Sequence, residues 1–429
     1  MFKRKKIITV VELGASKAVV VIANCSSDDD KFSVLGYSVN DTNQAIIKGE
    51  IVDSNKAFEI LEKTLKEASR DAEVAIDPRY IFFNITACDI TSEKSSGHIL
   101  IRGDQGIITQ KDVNEATLVA RESNSKMYST RYSLQAFSNY FMIDDTKRVI
   151  DPIGEIGCKL TATVCNILAN TNKLEPFLKL FGDLDYGTDV SFVFSGISSS
   201  WGVLPESSED RENGVLVIDV GAGTTEYTVF YKKAVVLAKV LPVGVHHIIN
   251  DVKIAFDLSF KMAQEIVCNG KYLEMRQSGE VYYDVQTSEQ KMKRLQLEEL
   301  EKVINLRIHE TLGIIHNELL RSKIKDILDN GLILTGGGAL IKAVELKASD
   351  IFDLPQRIGR PLNSVNVPKD LYYPQFSSSL GLLNLICTNQ ANFLEKERYN
   401  ILLRSLYAID NTAKNVAENI KDKFKAFKL

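Results

Sequence analysis

No window of the 429-residue chain approaches the roughly 20 uncharged apolar residues that a membrane-spanning helix needs. No CxxC spacing occurs and no cysteine lies beside a histidine, so a zinc site is not expected. The six cysteines (Cys25, Cys88, Cys158, Cys165, Cys268 and Cys387) are dispersed, which predicts reduced, mostly buried thiols in a cytoplasm. His246, His247, His309 and His316 are equally scattered. Positive charge is not in excess: a formal net charge of -4 argues against an extended nucleic-acid surface. What remains is ordinary, with 45% hydrophobic and 25% charged residues, as in a soluble globular protein long enough for two or more domains.

The opening stretch KRKKIITVVELGASKAVVVIANC admits two readings. A basic cluster, an apolar run and a small residue before Cys25 match an export leader. Against that, Glu12 and Lys17 interrupt the run and leave two strand-sized β-branched stretches, Ile7 to Val11 and Ala18 to Ala23, around a glycine turn. The charges favour a hairpin that belongs to the fold, with nothing cleaved. Its core, VVELGASKAVVVIA from Val10, has a counterpart in VIDVGAGTTEYTVF from Val217. Acid, any residue, Gly, Ala thus recurs between two β-branched runs, the mark of an internal duplication.

Gly221 and Gly223 allow backbone N–H groups to approach an anion, and Thr224 and Thr225 add hydroxyl donors, a combination suited to a polyphosphate. Asp219 at the strand end is placed to hold the waters of a Mg²⁺, with Glu12 as its counterpart across a cleft and Ser16 and Lys17 donating to phosphate oxygens. A tight hairpin without any ligand uses the same residue types. A third turn, in GLILTGGGALIKAVELKASDIF, places Gly336, Gly337 and Gly338 after a strand and directly before an amphipathic helix, where a flat ring can lie on bare backbone. The spacing is not GxGxxG and no ribose-reading acid follows, which removes a dinucleotide fold.

Acid-x-Gly near the start, DxGxGTT mid-chain and a late TGGG resemble the actin, Hsp70 and sugar-kinase superfamily, with SGISSSWGVL from Ser195 and SSSLGLL from Ser377 as weaker connecting motifs. Within it the order of segments resembles the FtsA family of bacterial cell-division proteins, over about Ile7 to Leu385. VLPVGVHHIINDVKIAFDLSF resembles that family's lead into subdomain 2B, and DPIGEIGCKLTATVCNI the end of its own inserted subdomain, 1C. The resemblance implies an α/β fold of two duplicated ribonuclease-H-like halves around an ATP cleft. Subdomain 1A would span 1–85 and 164–212, 1C 86–163, 2A 213–250 and 331–390, and 2B 251–330, followed by a linker over 391–413 and a membrane-targeting helix over 414–429.

Carried onto this chain, the resemblance assigns ATP phosphates to Gly14, Ala15, Ser16, Lys17, Gly221, Ala222, Gly223, Thr224 and Thr225. It assigns adenosine to Gly336, Gly337 and Gly338 with Lys261 and Glu265, and water-held Mg²⁺ to Glu12 and Asp219. It implies a C-terminal FtsZ peptide on Glu301, Asn305 and Arg307, which are otherwise plain surface residues of an amphipathic helix. Glu12 stands where the family usually has Asp, and Ser195 about where Hsp70 has a water-positioning carboxylate, so weak or no hydrolysis is expected.

In the last residues, AKNVAENIKDKFKAFKL, Val416, Ile420, Phe424 and Phe427 share one helical face, while Lys414, Lys421, Lys423, Lys425 and Lys428 crowd the rest. Such a stripe suits an interfacial helix on anionic lipid or a terminal helix docked on its own domain. The FtsA resemblance favours the membrane. The basic cluster MFKRKK is either solvated or a second lipid contact.

The leading expectation is an ATP-binding protein that polymerises with itself and tethers FtsZ filaments, with other division proteins, to the cytoplasmic face of the cell membrane at the septum. A pilus or secretion-assembly relative and a soluble small-molecule kinase are the alternatives. The kinase reading lacks a convincing catalytic Asp in the first half. An Hsp70-type chaperone lacks its β-rich peptide domain.

Overall fold

The two charges in the opening stretch fall at a hairpin. In the computed structural model, which describes residues 6–25, 32–103, 105–123, 130–184, 190–286, 292–362 and 366–388, β1 (Lys6–Leu13) pairs antiparallel with β2 (Lys17–Cys25). β3 (Phe32–Asp41) extends the meander beyond β2. The short β4 (Ile46–Ile47) and β5 (Glu50–Ile51) and helix α1 (Ser54–Asp71) lead to β6 (Ile81–Ile85), which returns parallel to β1. Val19, Val20, Val21 and Ile22 are fully buried because the strand is covered on both faces.

The chain then departs into a separate unit. β7 (Thr91–Leu100), α2 (Gln110–Glu122), β8 (Arg131–Ile143), β9 (Lys147–Val149) and β10 (Lys159–Asn170) form a sheet of order β7-β10-β8-β9 with its own small core. Helix α3 (Thr171–Asp183) returns to β11 (Ser191–Phe194), which completes the first sheet in the order β11-β6-β1-β2-β3.

Helices α4 (Ser195–Val203) and α5 (Glu209–Asn213) lead into the second half. There β12 (Val215–Val220), β13 (Thr225–Tyr231) and β14 (Ala234–Leu241) repeat the meander. A mainly helical excursion follows: α6 (Val245–Ala255), α7 (Phe260–Asn269), α8 (Lys271–Gln277), the hairpin β15 (Tyr282–Gln286) with β16 (Met292–Gln296), and α9 (Leu297–Arg321). Then β17 (Leu332–Thr335), α10 (Lys342–Phe352) and β18 (Gln356–Ile358) close a sheet of order β14-β13-β12-β17-β18. Both sheets are an antiparallel meander joined to two parallel strands, so the duplication read from acid-x-Gly-Ala is one of topology.

Three expected subdomain divisions fall inside elements, 163/164 within β10, 212/213 within α5 and 250/251 within α6, because one continuous strand or helix serves both neighbours. Among the described residues no helix is long and apolar enough to cross a membrane.

The last described helix, α11 (Ser377–Thr388), buries Leu380, Leu382, Leu383, Leu385 and Ile386 in the core of the first half. This corrects the expectation of six reduced thiols, since α11 carries Cys387 to the end of β2, where it forms a disulfide with Cys25 across 362 residues of sequence. Of the four free cysteines, Cys88 and Cys165 are buried, which pushes both thiols up to about 12, whereas Cys158 and Cys268 are exposed.

Arg211 is buried between the rings of Trp201 (4.0 Å) and Phe230 (4.5 Å), donates to Leu204 O (2.8 Å), and is lowered by burial to about 10. Arg211→Ala should cost about 3 kcal/mol through lost packing and an emptied site, and Arg211→Met about 1 kcal/mol or less, since a buried cation is replaced by apolar volume. Urea unfolding of both variants checks the order, and equal losses would refute it.

Candidate functional site

The C-terminal ends of β1 and β12 open into one cleft of about 270 Å³. The two hairpin turns there are built alike: Gly14 N donates to Lys17 O and Gly221 N to Thr224 O, each at 2.9 Å. Val245 N and His246 N of α6 donate to Gly221 O and Ala222 O, which seats the second turn against that helix. Gly14, Ala15, Ser16 and Lys17 line the cleft from one side, Gly221, Ala222, Gly223 and Thr224 from the other, and Gly336, Gly337 and Gly338 complete it. The glycine run does not enter a helix directly. A single 3-10 turn, Gly337–Leu340, intervenes before α10.

Carboxylates dominate the charge. Asp219 pairs across the ladder with Glu226, and both are buried. Glu226 Oε1 accepts from Thr224 Oγ1 (2.8 Å) and from the Thr86 hydroxyl of the first half. Glu12 Oε2 accepts from Ser378 and Ser379 Oγ, both at 2.6 Å, at the start of α11. Among the described residues Lys17 is the only lysine lining the cleft; it donates to Gln375 O (2.6 Å) and lies over the Phe376 ring.

Burial raises the Asp219 carboxyl well above the usual carboxylate range, reinforced by Glu226 and Glu12. Burial also raises Glu226. Burial lowers Lys17, against the pull of Glu12 and Asp219. Three carboxylates facing one ammonium make a site that a cation would relieve. Carboxylates accept hydrogen bonds from metal-bound water, so Glu12 and Asp219 fit an ion reached through its own waters, as Mg²⁺ prefers.

Two family models match this chain: "Cell division protein FtsA" over residues 216–381 and "SHS2 domain inserted in FTSA" over residues 88–168. The chain belongs to the FtsA family. It is 27% identical over 411 residues to the cell division protein FtsA of Neisseria meningitidis serogroup B, covering 92% of this chain and 94% of that protein. Among solved structures it is similar to the PilM-PilN type IV pilus biogenesis complex (TM-score 0.59, 14% identity, 89% of this chain and 98% of that one). It is also similar to MreB 5 of Spiroplasma citri bound to AMPPNP (TM-score 0.51, 13% identity, 92% and 99%). These likenesses show the actin-like fold, and the four-stranded sheet from β7 to β10 is the insertion that FtsA adds to it.

Within this FtsA framework some expected positions shift. Lys261 and Glu265 are exposed on α7 and do not line the cleft. Gln264 and Cys268 of the same helix do, because packing of Ala263, Ile266 and Val267 sets its rotation. Glu301, Asn305 and Arg307 do not form one patch. Glu301 pairs with Arg276 (3.2 Å) and Asn305 (3.5 Å), whereas Arg307 binds Asp251 (2.6 and 3.2 Å) and Glu310 (2.5 Å). Two residues on an α-helix differ by about 200°, so Asn305 and Arg307 face nearly opposite ways.

Ser195 opens α4 and lines the cleft. The tail positions Val416, Ile420, Lys421, Lys423, Phe424, Lys425, Phe427 and Lys428 lie outside the described residues. Sequence reasoning missed Glu226, although its place seven residues after Asp219 across a tight turn puts the two opposite each other. It also missed Asn84, Thr86 and Gln375, whose segments carry no local signature, and gave no role to Ser378, which lies in the connecting motif SSSLGLL.

Proposed function

We propose that this FtsA-family chain binds ATP with Mg²⁺, polymerises, and tethers FtsZ filaments to the cytoplasmic face of the cell membrane at the division septum. The observation that supports it best is the pair of like-built, acid-bearing hairpins facing one cleft, in a chain with the FtsA insertion. The amides of Ala15 and Ser16 and of Ala222, Gly223 and Thr224 would donate to phosphate oxygens. Those of Gly14 and Gly221 close their own turns, and Thr225 is buried away from the cleft with its hydroxyl on Val243 O. Gly336 to Gly338 would lie under adenosine, with Gln264 and Cys268 on the α7 wall. Glu12 and Asp219 would accept hydrogen bonds from the waters of Mg²⁺, which when bound supplies the positive charge that this acidic cleft lacks.

Glu12 carries the coupling to the rest of the molecule. Its carboxylate is also held by Ser378 and Ser379 of α11, the helix from which the tail departs. The FtsZ peptide would dock on α9, with Arg307 exchanging a carboxylate partner from within the chain for one on the peptide, and residues 416–428 would enter the lipid boundary.

Co-sedimentation with anionic liposomes, with and without Mg-ATP, tests this reading on the full chain and on a version ending at Thr412. The full chain should pellet several-fold more than the shortened one, while both bind ATP equally. If neither pellets, the tether is wrong and a soluble assembly ATPase replaces it.

A further inference from the structure

The duplicated topology allows the two halves to be compared position by position. Each acid-bearing strand has a parallel neighbour in register: Glu12 lies beside Asn84 on β6, and Asp219 beside Thr335 on β17. Thr335 is fully committed. Its hydroxyl bonds Ser377 Oγ (2.7 Å) and reaches Gly359 O (3.2 Å) and Pro374 O (3.3 Å), all internal to the fold. Asn84 is the opposite case. It is 3% exposed, lines the cleft, and among the described residues neither its Oδ1 nor its Nδ2 has a hydrogen-bond partner.

A buried primary amide with both ends unsatisfied is costly, and native proteins rarely keep one without a reason. Its polar neighbours are already engaged. Glu12 Oε2 takes two serine hydroxyls, and Glu226 Oε1 takes Thr86 and Thr224. Thr86, two residues beyond Asn84 on the same side of the chain, bonds Thr224 and Glu226 of the second hairpin, which places Asn84 where the two phosphate turns converge. What is missing there is a ligand that accepts from the Nδ2–H and is accompanied by a donor for Oδ1. A terminal phosphate oxygen with an ordered water meets both needs, whereas the cleft carboxylates can accept from the Nδ2–H but offer no donor to Oδ1.

We propose that Asn84 is the residue that distinguishes a nucleoside triphosphate from a diphosphate, its Nδ2–H donating to a terminal phosphate oxygen and its Oδ1 accepting from a water held beside it. The proposal rests on the nucleotide reading above. In the second half the equivalent position is spent on holding β17 to α11, which is why only one of the two sheets supplies such a reader.

The test is equilibrium binding of Mg-ATP and Mg-ADP to the full-length wild type, Asn84→Ala and Asn84→Asp, with thermal unfolding of each without nucleotide. Asn84→Ala should weaken ATP by about 10-fold, the loss of one hydrogen bond to a charged group, and leave ADP within about 2-fold. Its melting temperature should stay close to wild type, because no described residue loses a hydrogen bond to the amide. Asn84→Asp, which adds a carboxylate facing phosphate, should weaken ATP further still. Equal losses for ATP and ADP, or no loss for either, would overturn the role of Asn84 while leaving nucleotide binding intact. A wild type that binds neither nucleotide would overturn the nucleotide reading and this proposal together.

Discussion

Gly336→Ala is expected to weaken nucleotide binding by at least about 100-fold and to destabilise the fold by about 3 kcal/mol. Gly336 adopts φ +82° and ψ 171°, a region open essentially to glycine alone. A Cβ there would collide with Asp219 Oδ1 and lie 2.7 Å from Val220 O. The residue that permits the third turn therefore also leaves room for the carboxylate proposed to hold the metal's waters, and alanine would displace both. Gly337→Ala is the control. Its Cβ would meet only Gln375 Cβ at 3.8 Å, so stability should change by less than about 0.5 kcal/mol. Urea unfolding and a fluorescent-nucleotide titration read the two effects, and a Gly336→Ala protein that binds like wild type would contradict the assignment of this turn.

Asp219→Asn should do the reverse to stability while abolishing Mg-nucleotide binding. The folded protein raises the Asp219 carboxyl through burial and the neighbouring Glu226 and Glu12. A raised acid contributes stability that is fully present below its unfolded value, about 3.9, and is lost as pH rises through the folded value. In EDTA without nucleotide the wild type should thus weaken relative to Asp219→Asn as pH climbs from 4. The gap should reach about 1–3 kcal/mol above the raised value and then level off, because asparagine cannot ionise. Urea midpoints at pH 5, 6, 7 and 8 measure it. A variant less stable than wild type across that range would mean that the charge is structural, whereas the expected gain marks a site strained for function.

The three glycine turns were legible because their chemistry is local. A residue pattern of four or five positions fixes both the backbone freedom and the donors, and such turns ended up facing one cleft. The insertion was legible through the resemblance of DPIGEIGCKLTATVCNI to the end of the FtsA insertion. Glu226 was legible in principle, since pairing across a tight turn follows from counting residues. The α7 residues were not. Lys261 and Gln264 differ by about 60° of helical rotation, and which of them faces the cleft depends on how Ala263, Ile266 and Val267 seat the helix against the rest of the second core.

Sequence by itself determined the hairpins at Glu12 and Asp219, the duplication they mark, and the family that shares them, because strand propensity, glycine turns and charge placement act over a few residues. Tertiary structure alone decided what meets across the cleft. It brought Ser378 and Ser379 to Glu12, left Asn84 without a partner among the described residues, paired Arg307 with Asp251, and joined Cys25 to Cys387. Each of these depends on how whole helices and sheets pack, and packing brings together residues whose separation along the chain carries no trace of the contact.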